Sequence, residues 1–229
     1  MADLEVLLQH GWALDSTVWS GWADAARQIV PAINIISAER GYFSTPSTQP
    51  TFSENDCRKI LVVHSLGLHL ASKAQFEKAD LLVIICGFAN FHDGTEKQSR
   101  LSQIAVRRML QKLDREPVQV VEDFYSNCGF PEAYGAEKSA QLKNFQLLKS
   151  DLELLHRSTF NSDWLSLADQ ILILHGEQDA IAPAYHALRL KELCKRGALE
   201  IHKQGTHALP YERPSWCLEQ IEKSFMVMR

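Results

Sequence analysis

The sequence is poor in the features that set specialised chains apart. Its five cysteines, Cys57, Cys86, Cys128, Cys194 and Cys217, are odd in number, far apart and never spaced C-x-x-C. That argues against a disulfide framework and a zinc site, and it fits a reducing compartment. With 8 prolines and 11 glycines in 229 residues, the chain is neither disordered nor collagen-like. Basic residues are outnumbered, 24 Lys and Arg against 28 Asp and Glu, for a net charge of −4. No global positive field exists to collect nucleic acid or an anionic membrane. Long apolar runs are missing too: the longest, such as residues 81–86, fall far short of a membrane span, and Asp3 and Glu5 stand where a signal peptide carries base. A cytoplasmic protein is expected, with no nucleic-acid or membrane partner.

What is present is an ordinary globular composition, 45% hydrophobic and 23% charged, at a length that suits one large domain. Six short β-rich runs, at 4–8, 33–36, 60–63, 81–85, 171–174 and 198–201, alternate with helical patterns. Most are apolar throughout, as parallel strands buried on both faces must be. The expectation is an α/β fold with a mostly parallel, doubly wound sheet of about six strands. Residues 44–53, rich in Ser, Thr and Pro, read as a surface loop. More than eighty residues separate the fourth run from the fifth, with helical patterns at 103–113 and 138–155. A crossover needs about 10 to 15 residues, so residues 90–160 read as a helical cap inserted into a core formed by 1–89 and 161–229.

At residues 60–72 an apolar strand runs through His64-Ser65-Leu66-Gly67 into an amphipathic helix. A sharp strand-to-helix turn lifts a serine hydroxyl to the carboxyl edge of a sheet, where the next backbone N–H and the helix N-terminus can stabilise an oxyanion. The fit to G-x-S-x-G is imperfect, because Val63 stands at the first glycine. The competing reading of Ser65 is a helix cap. Asp179 follows the fifth run and His207 the sixth, so Ser65, Asp179 and His207 each come after a different strand. Together they supply nucleophile, base and the carboxylate that orients the base. Asp93, after the fourth run, is the rival acid. Among other histidines, His64, His175 and His202 belong to the turn or to strand ends and read as structural. His69, His92, His156 and His186 fall on helices or in the cap and read as satisfied surface groups. No H-E-x-x-H spacing appears. The second oxyanion donor is expected from the Trp12 N–H, beside the Leu66 N–H, because Gly11 lets the backbone approach; the Trp12 indole would wall the pocket.

Taken together, these residues resemble the α/β-hydrolase superfamily over nearly the whole chain. His10-Gly11-Trp12 with Val18-Trp19 resembles its oxyanion loop, and Arg40-Gly41-Tyr42-Phe43 a D-R-G-Y-G type turn. Gly176 to Asp179 with Pro183 resembles the acid loop, and Gly205-Thr206-His207-Ala208 the histidine loop. The H-G-W start, the small size, the helical cap and the Thr206 to Pro210 ending are most similar to the pimeloyl-[acyl-carrier protein] methyl ester esterases of biotin synthesis. The resemblance implies serine-dependent removal of a methyl group from a pimeloyl chain carried on acyl carrier protein, without metal or organic cofactor. It also implies acyl contacts from Trp12, Leu66, Phe124, Tyr125 and Asn127, although aromatics at 124–125 also suit a cap core. Between 97 and 115 six bases, including Arg100, Arg107, Arg108 and Lys112, face one acid, Asp114, a basic stretch suited to docking an acidic carrier; a solvated helix face is the plainer reading. A monomer is expected. An acyl thioesterase, a general short-chain carboxylesterase and a non-catalytic binder on the same fold are the alternatives.

Overall fold

The six apolar runs are the six strands of one sheet. The computed structural model describes residues 4–43, 45–194 and 196–226. Met1 to Asp3 and Ser44, on which parts of the N-terminal and loop readings rest, lie outside the described residues. In chain order the elements are β1 (Leu4–Gln9), α1 (Trp22–Ile29), β2 (Ile33–Ser37), β3 (Arg58–His64), α2 (Gly67–Leu70), α3 (Lys73–Glu77) and β4 (Leu81–Ile85). Then come α4 (Glu96–Leu113), α5 (Pro117–Cys128), α6 (Glu132–Ala140), α7 (Phe145–Arg157), β5 (Gln170–Gly176), α8 (Tyr185–Leu193), β6 (Ala198–His202), α9 (Leu209–Glu212) and α10 (Pro214–Met226).

All strand pairs are parallel, in the order β2-β1-β3-β4-β5-β6. The order turns back at β1, since the chain moves to one side for β2 and to the other for β3. A crevice forms at such a reversal beyond the carboxyl ends of the strands, and the residues after β1 and β3 are those singled out above. Every residue of β4 is buried, which explains its unbroken Leu-Leu-Val-Ile-Ile sequence. Val63 belongs to the ladder, paired with Gln9 and Ile84. Its side chain packs with Leu61, Leu68 and Ile84 on one face of the sheet. A β-branched residue therefore crowds nothing at the turn.

Three readings are refined. The segment 138–155 is not one helix, because α6 stops and α7 starts afresh at Asn144, whose side chain accepts the Leu147 N–H. The break frees the Lys143 and Asn144 N–H groups to donate to the Tyr42 carbonyl. The helix after Ser65 is a single turn, α2, before the chain restarts at Ser72, whose N–H donates to Gln75 Oε1. The loop at 45–53 is exposed over most of its length, but Phe52 is buried and Ser53 donates twice to the buried Glu5 carboxylate. Helices α4 to α7 stand between β4 and β5, and an isolated bridge, Asn90 with Thr159, ties the two ends of that segment together. Among the described residues, no helix is long and apolar enough to cross a membrane.

Candidate active site

Ser65 is the first residue past β3, held at φ +54, a left-handed conformation uncommon outside glycine and frequent where function demands strain. Its N–H continues the ladder to the Ile85 carbonyl. The turn closes tightly: a Cβ on Gly67 would lie 2.6 Å from the Gln9 carbonyl oxygen, and one on Gly11 would lie 2.9 Å from Ser65 Cβ. Those two glycines let the loop after β1 press directly on the serine.

His207 bridges the other two predicted residues. Its Nε2 lies 3.0 Å from Ser65 Oγ and its Nδ1 2.7 Å from Asp179 Oδ2. Asp179 Oδ1 accepts the Ile181 and Ala182 N–H groups, both at 2.8 Å. All three side chains are buried. Burial alone would raise the Asp179 pKa, but the charge and hydrogen bond of His207 and the backbone donors outweigh it, so the carboxyl titrates below its ordinary value. An ionised carboxylate only accepts, so His207 carries its proton on Nδ1 and turns the Nε2 lone pair to the serine hydroxyl. The acid and base loops are joined by the Gln178 N–H on the Gly205 carbonyl, at 2.9 Å. Asp93 stands apart, close enough to act electrostatically on Tyr185.

The Trp12 and Leu66 backbone N–H groups, on the two loops that meet at Ser65, have no protein acceptor among the described residues. The helix after the turn is too short to add much of a dipole. A cavity of about 510 Å³ lies on the helical side of the site, lined by Trp12, Phe124, Ile181 and His186 among others. Trp12 and Phe124 stand between it and the relay, edge to face at 4.9 Å, with Phe124 6.5 Å from the His207 ring. Asn127 also lines the cavity. Two side chains expected to touch the acyl chain do not line this cavity. Tyr125 turns away, its hydroxyl donating to the Ala13 carbonyl and its ring packed on Phe130 and Tyr134. The Leu66 side chain is fully buried in the core, leaving only its N–H to the site. Arg100, Arg107, Arg108 and Lys112 are all exposed on α4.

The histidines hold what the sequence reading missed. His64 Nε2 lies 2.9 Å from the His207 carbonyl oxygen, tying the serine turn to the base loop, and burial pushes its pKa down to about 3. His175 lies 2.7 Å from the Ala182 carbonyl and 3.7 Å from Asp179 Oδ2. His186 is not a surface group: it is 1% exposed. His69 is half-buried between the Phe88 carbonyl and Ser158 Oγ, and His92 pairs with His156 at 2.9 Å. Cys86, at φ +49, places its thiol within 4.8 Å of ligand atoms of His64 and His207 on one side and of His175 and Asp179 on the other. As metal ligands these groups are poorly disposed. His207 and Asp179 are engaged with each other, and burial pushes the Cys86 thiol up, away from the thiolate a metal binds. The pattern of local motifs held no signal for this cluster, which the sheet assembles at the carboxyl ends of four strands, β3 to β6.

No family model matches the chain. Over 239 residues it is 23% identical to the biotin biosynthesis bifunctional protein BioHC of Cellvibrio japonicus, covering 95% of this chain. It spans about half, 46%, of that relative's length. Among solved structures it is similar to an esterase from Exiguobacterium antarcticum, with TM-score 0.77, 13% identity and coverage of 97% and 92% of the two chains. A bromoperoxidase from Bacillus anthracis gives 0.74, 16%, and coverage of 100% and 92%. A hydrolase from Oleispira antarctica gives 0.72, 13%, and coverage of 95% and 90%. The fold is that of the α/β-hydrolases, and the resemblance to the biotin-pathway methyl ester esterases has a curated counterpart in BioHC.

Proposed function

We propose that this protein is a serine carboxylesterase that removes the methyl ester from a pimeloyl chain carried on acyl carrier protein. The observation that carries the esterase reading is the hydrogen-bonded chain Ser65–His207–Asp179, with Phe124, which lines the neighbouring cavity together with Trp12, 6.5 Å from the His207 ring. Ser65 Oγ attacks the ester carbonyl carbon as His207 Nε2 takes its proton, and Asp179 stabilises the imidazolium that results. The oxyanion is held by the Trp12 and Leu66 N–H groups, each donor being worth roughly 10² to 10³ in rate. His207 returns the proton to the departing methanol. It then deprotonates a water that attacks the acyl-serine, and the carboxylic acid leaves as Ser65 regains its proton. None of these steps calls for a metal or organic cofactor.

The carrier and the pimeloyl chain are supported by the sequence likeness to BioHC and by the exposed bases of α4 as a landing surface for an acidic protein, with α4 to α7 acting as the cap. A carrier-independent carboxylesterase is the second reading, favoured by solved neighbours described as esterases. Turnover of pimeloyl-carrier methyl ester, with free dimethyl pimelate and the Ser65→Ala variant in parallel, separates the two. Ser65-dependent loss of methyl from the carrier-bound ester, faster than from the free diester and with the thioester intact, is expected. Equal rates on both would favour the second reading, and thioester cleavage would make the protein a thioesterase.

A further inference from the structure

His186 stands at the start of α8, facing the cavity together with Phe91, Ser102, Gln98, Asn127 and Tyr185. Its ring is stacked on Phe91, 12° from parallel, and flanked by Phe88. The residue is 1% exposed, yet neither ring nitrogen has a hydrogen-bond partner among the described residues, and Nδ1 is fully buried. Nδ1 is closed off from any bound group, whereas Nε2 keeps some exposure without a protein partner among the described residues, so Nε2 is the nitrogen that can meet a ligand, and a polar group that a ligand covers without pairing costs roughly 1 to 3 kcal/mol. Burial pushes the His186 pKa down to about 4, with further lowering from His175 and His207. At neutral pH it is therefore an uncharged imidazole that meets the cavity through Nε2 alone, and with the proton on that nitrogen it is a hydrogen-bond donor.

The rest of the cavity narrows what that imidazole can meet. Among the described residues no Lys, Arg, Asp or Glu lines it, so an ionised group on a bound chain would be desolvated without a counter-charge. A plain alkyl chain, conversely, would bury against His186 and leave it unpaired. We propose that His186 is a specificity-determining residue of the acyl cavity, hydrogen-bonding an uncharged carbonyl that the substrate carries away from the ester attacked by Ser65. The substrate class is thus a neutral diacid derivative, with its second carboxyl masked as an ester, thioester or amide. This rests on the esterase reading for the place of the first ester, and it narrows that reading by excluding simple alkanoate esters and half-acids as preferred substrates.

Binding to the Ser65→Ala variant, followed through tryptophan fluorescence because Trp12 lines the cavity, tests the inference without requiring turnover. Three probes share a seven-carbon acyl chain: dimethyl pimelate, monomethyl pimelate and methyl heptanoate. Dimethyl pimelate should bind about tenfold more tightly than methyl heptanoate, the worth of one hydrogen bond to a buried group, and more tightly than the half-acid. Adding His186→Phe, which keeps the stack on Phe91, should abolish the preference, and His186→Gln should restore part of it. His186→Phe should also unfold at a temperature equal to or above its parent's, since an unpaired polar group has been removed. A preference that survives His186→Phe, no preference in the parent, or tightest binding by the half-acid would each overturn the proposal. If the native enzyme cleaves no ester while this pattern holds, the esterase reading fails and the His186 assignment stands; brisk ester cleavage without the pattern gives the reverse.

Discussion

The two sides of the site are built by different forces. On the sheet side the relay is fixed by backbone donors and by neutral histidines, His64 behind His207 and His175 behind Asp179. On the helical side the attachment is made by charge. Lys138 of α6 lies 2.7 Å from Asp15, both buried, and Arg40 grips Asp151 of α7 through two nitrogens while Tyr42 adds its hydroxyl. The Trp12 indole donates to the Leu148 carbonyl between them. Helix α4 packs on α5 and α7 rather than on the sheet. The relay thus sits among hydrogen bonds made within the sheet-end loops, whereas the helical wall of the cavity is held to the rest of the chain by a few buried charged contacts and reaches α4 through α5 and α7.

The largest effect should come from the sheet side. Ser65→Ala should lower ester turnover by at least about 10³-fold while leaving the unfolding midpoint nearly unchanged; substantial residual turnover would remove Ser65 from the chemistry. On the helical side the analogous blow falls on stability instead. Asp151→Asn leaves Arg40 and the Tyr42 hydroxyl without their carboxylate, and because Arg40 still reaches solvent the loss should be about 2 kcal/mol rather than the full cost of an orphaned buried charge. For a chain of this size that is a fall of roughly 4 to 8 °C in the melting temperature, with small-ester turnover kept within a few fold. Loss of turnover without loss of stability would mean that the clamp shapes the active site directly.

Acid should discriminate between the two sides as well. Burial holds His64 down to about 3 and both His69 and His186 down to about 4. Each therefore takes up its proton near pH 6.5 when unfolded but only near pH 3 to 4 when folded. Stability from these groups is complete above about pH 6.5 and declines below it, by up to about 1.4 kcal/mol per pH unit for each histidine. Asp179, depressed instead, keeps its contribution until the pH falls below the ordinary carboxylate range. Urea midpoints should thus drop between pH 7.5 and pH 5.0, well before the carboxylates titrate. A flat profile over that interval would mean that the sheet-side histidines are wetter than their burial indicates.

Much of the sheet side was legible in the sequence because its signals are local. A strand buried on both faces reads as an unbroken apolar run, and a residue that must sit beyond the carboxyl end of a strand falls within a few positions of it, as Ser65, Asp179 and His207 do. The helical side was less legible, because its faces are decided by tertiary partners. Phe124 and Tyr125 are adjacent and chemically alike, yet the 100° turn between neighbours on a helix sends one toward the relay and the other toward Ala13. Likewise nothing in the spacing around His186 marks it as buried, since its stacking partner Phe91 lies across the whole inserted segment. The break before Asn144 was invisible for the same reason: the acceptor that draws the chain there, the Tyr42 carbonyl, is a hundred residues away.

The smallest effect belongs to the outer face of α4, and it is the most specific to the carrier reading. Arg107 and Arg108 are exposed, so neither contributes measurably to stability, and their reversal to Glu should leave the melting temperature and the turnover of free dimethyl pimelate unchanged. What they can do is raise the rate at which an acidic carrier finds the cavity mouth, a long-range effect that acts on association and fades with salt. The double variant R107E/R108E should therefore lose roughly three- to tenfold in kcat/KM on the carrier-linked ester at low ionic strength, with kcat little altered. The gap should close as salt is raised toward 0.5 M. A deficit that persists at high salt would point to a direct contact in the bound complex rather than steering. No deficit at all would leave α4 as a solvated helix face, and the case for a carrier-borne substrate would then rest on sequence likeness alone.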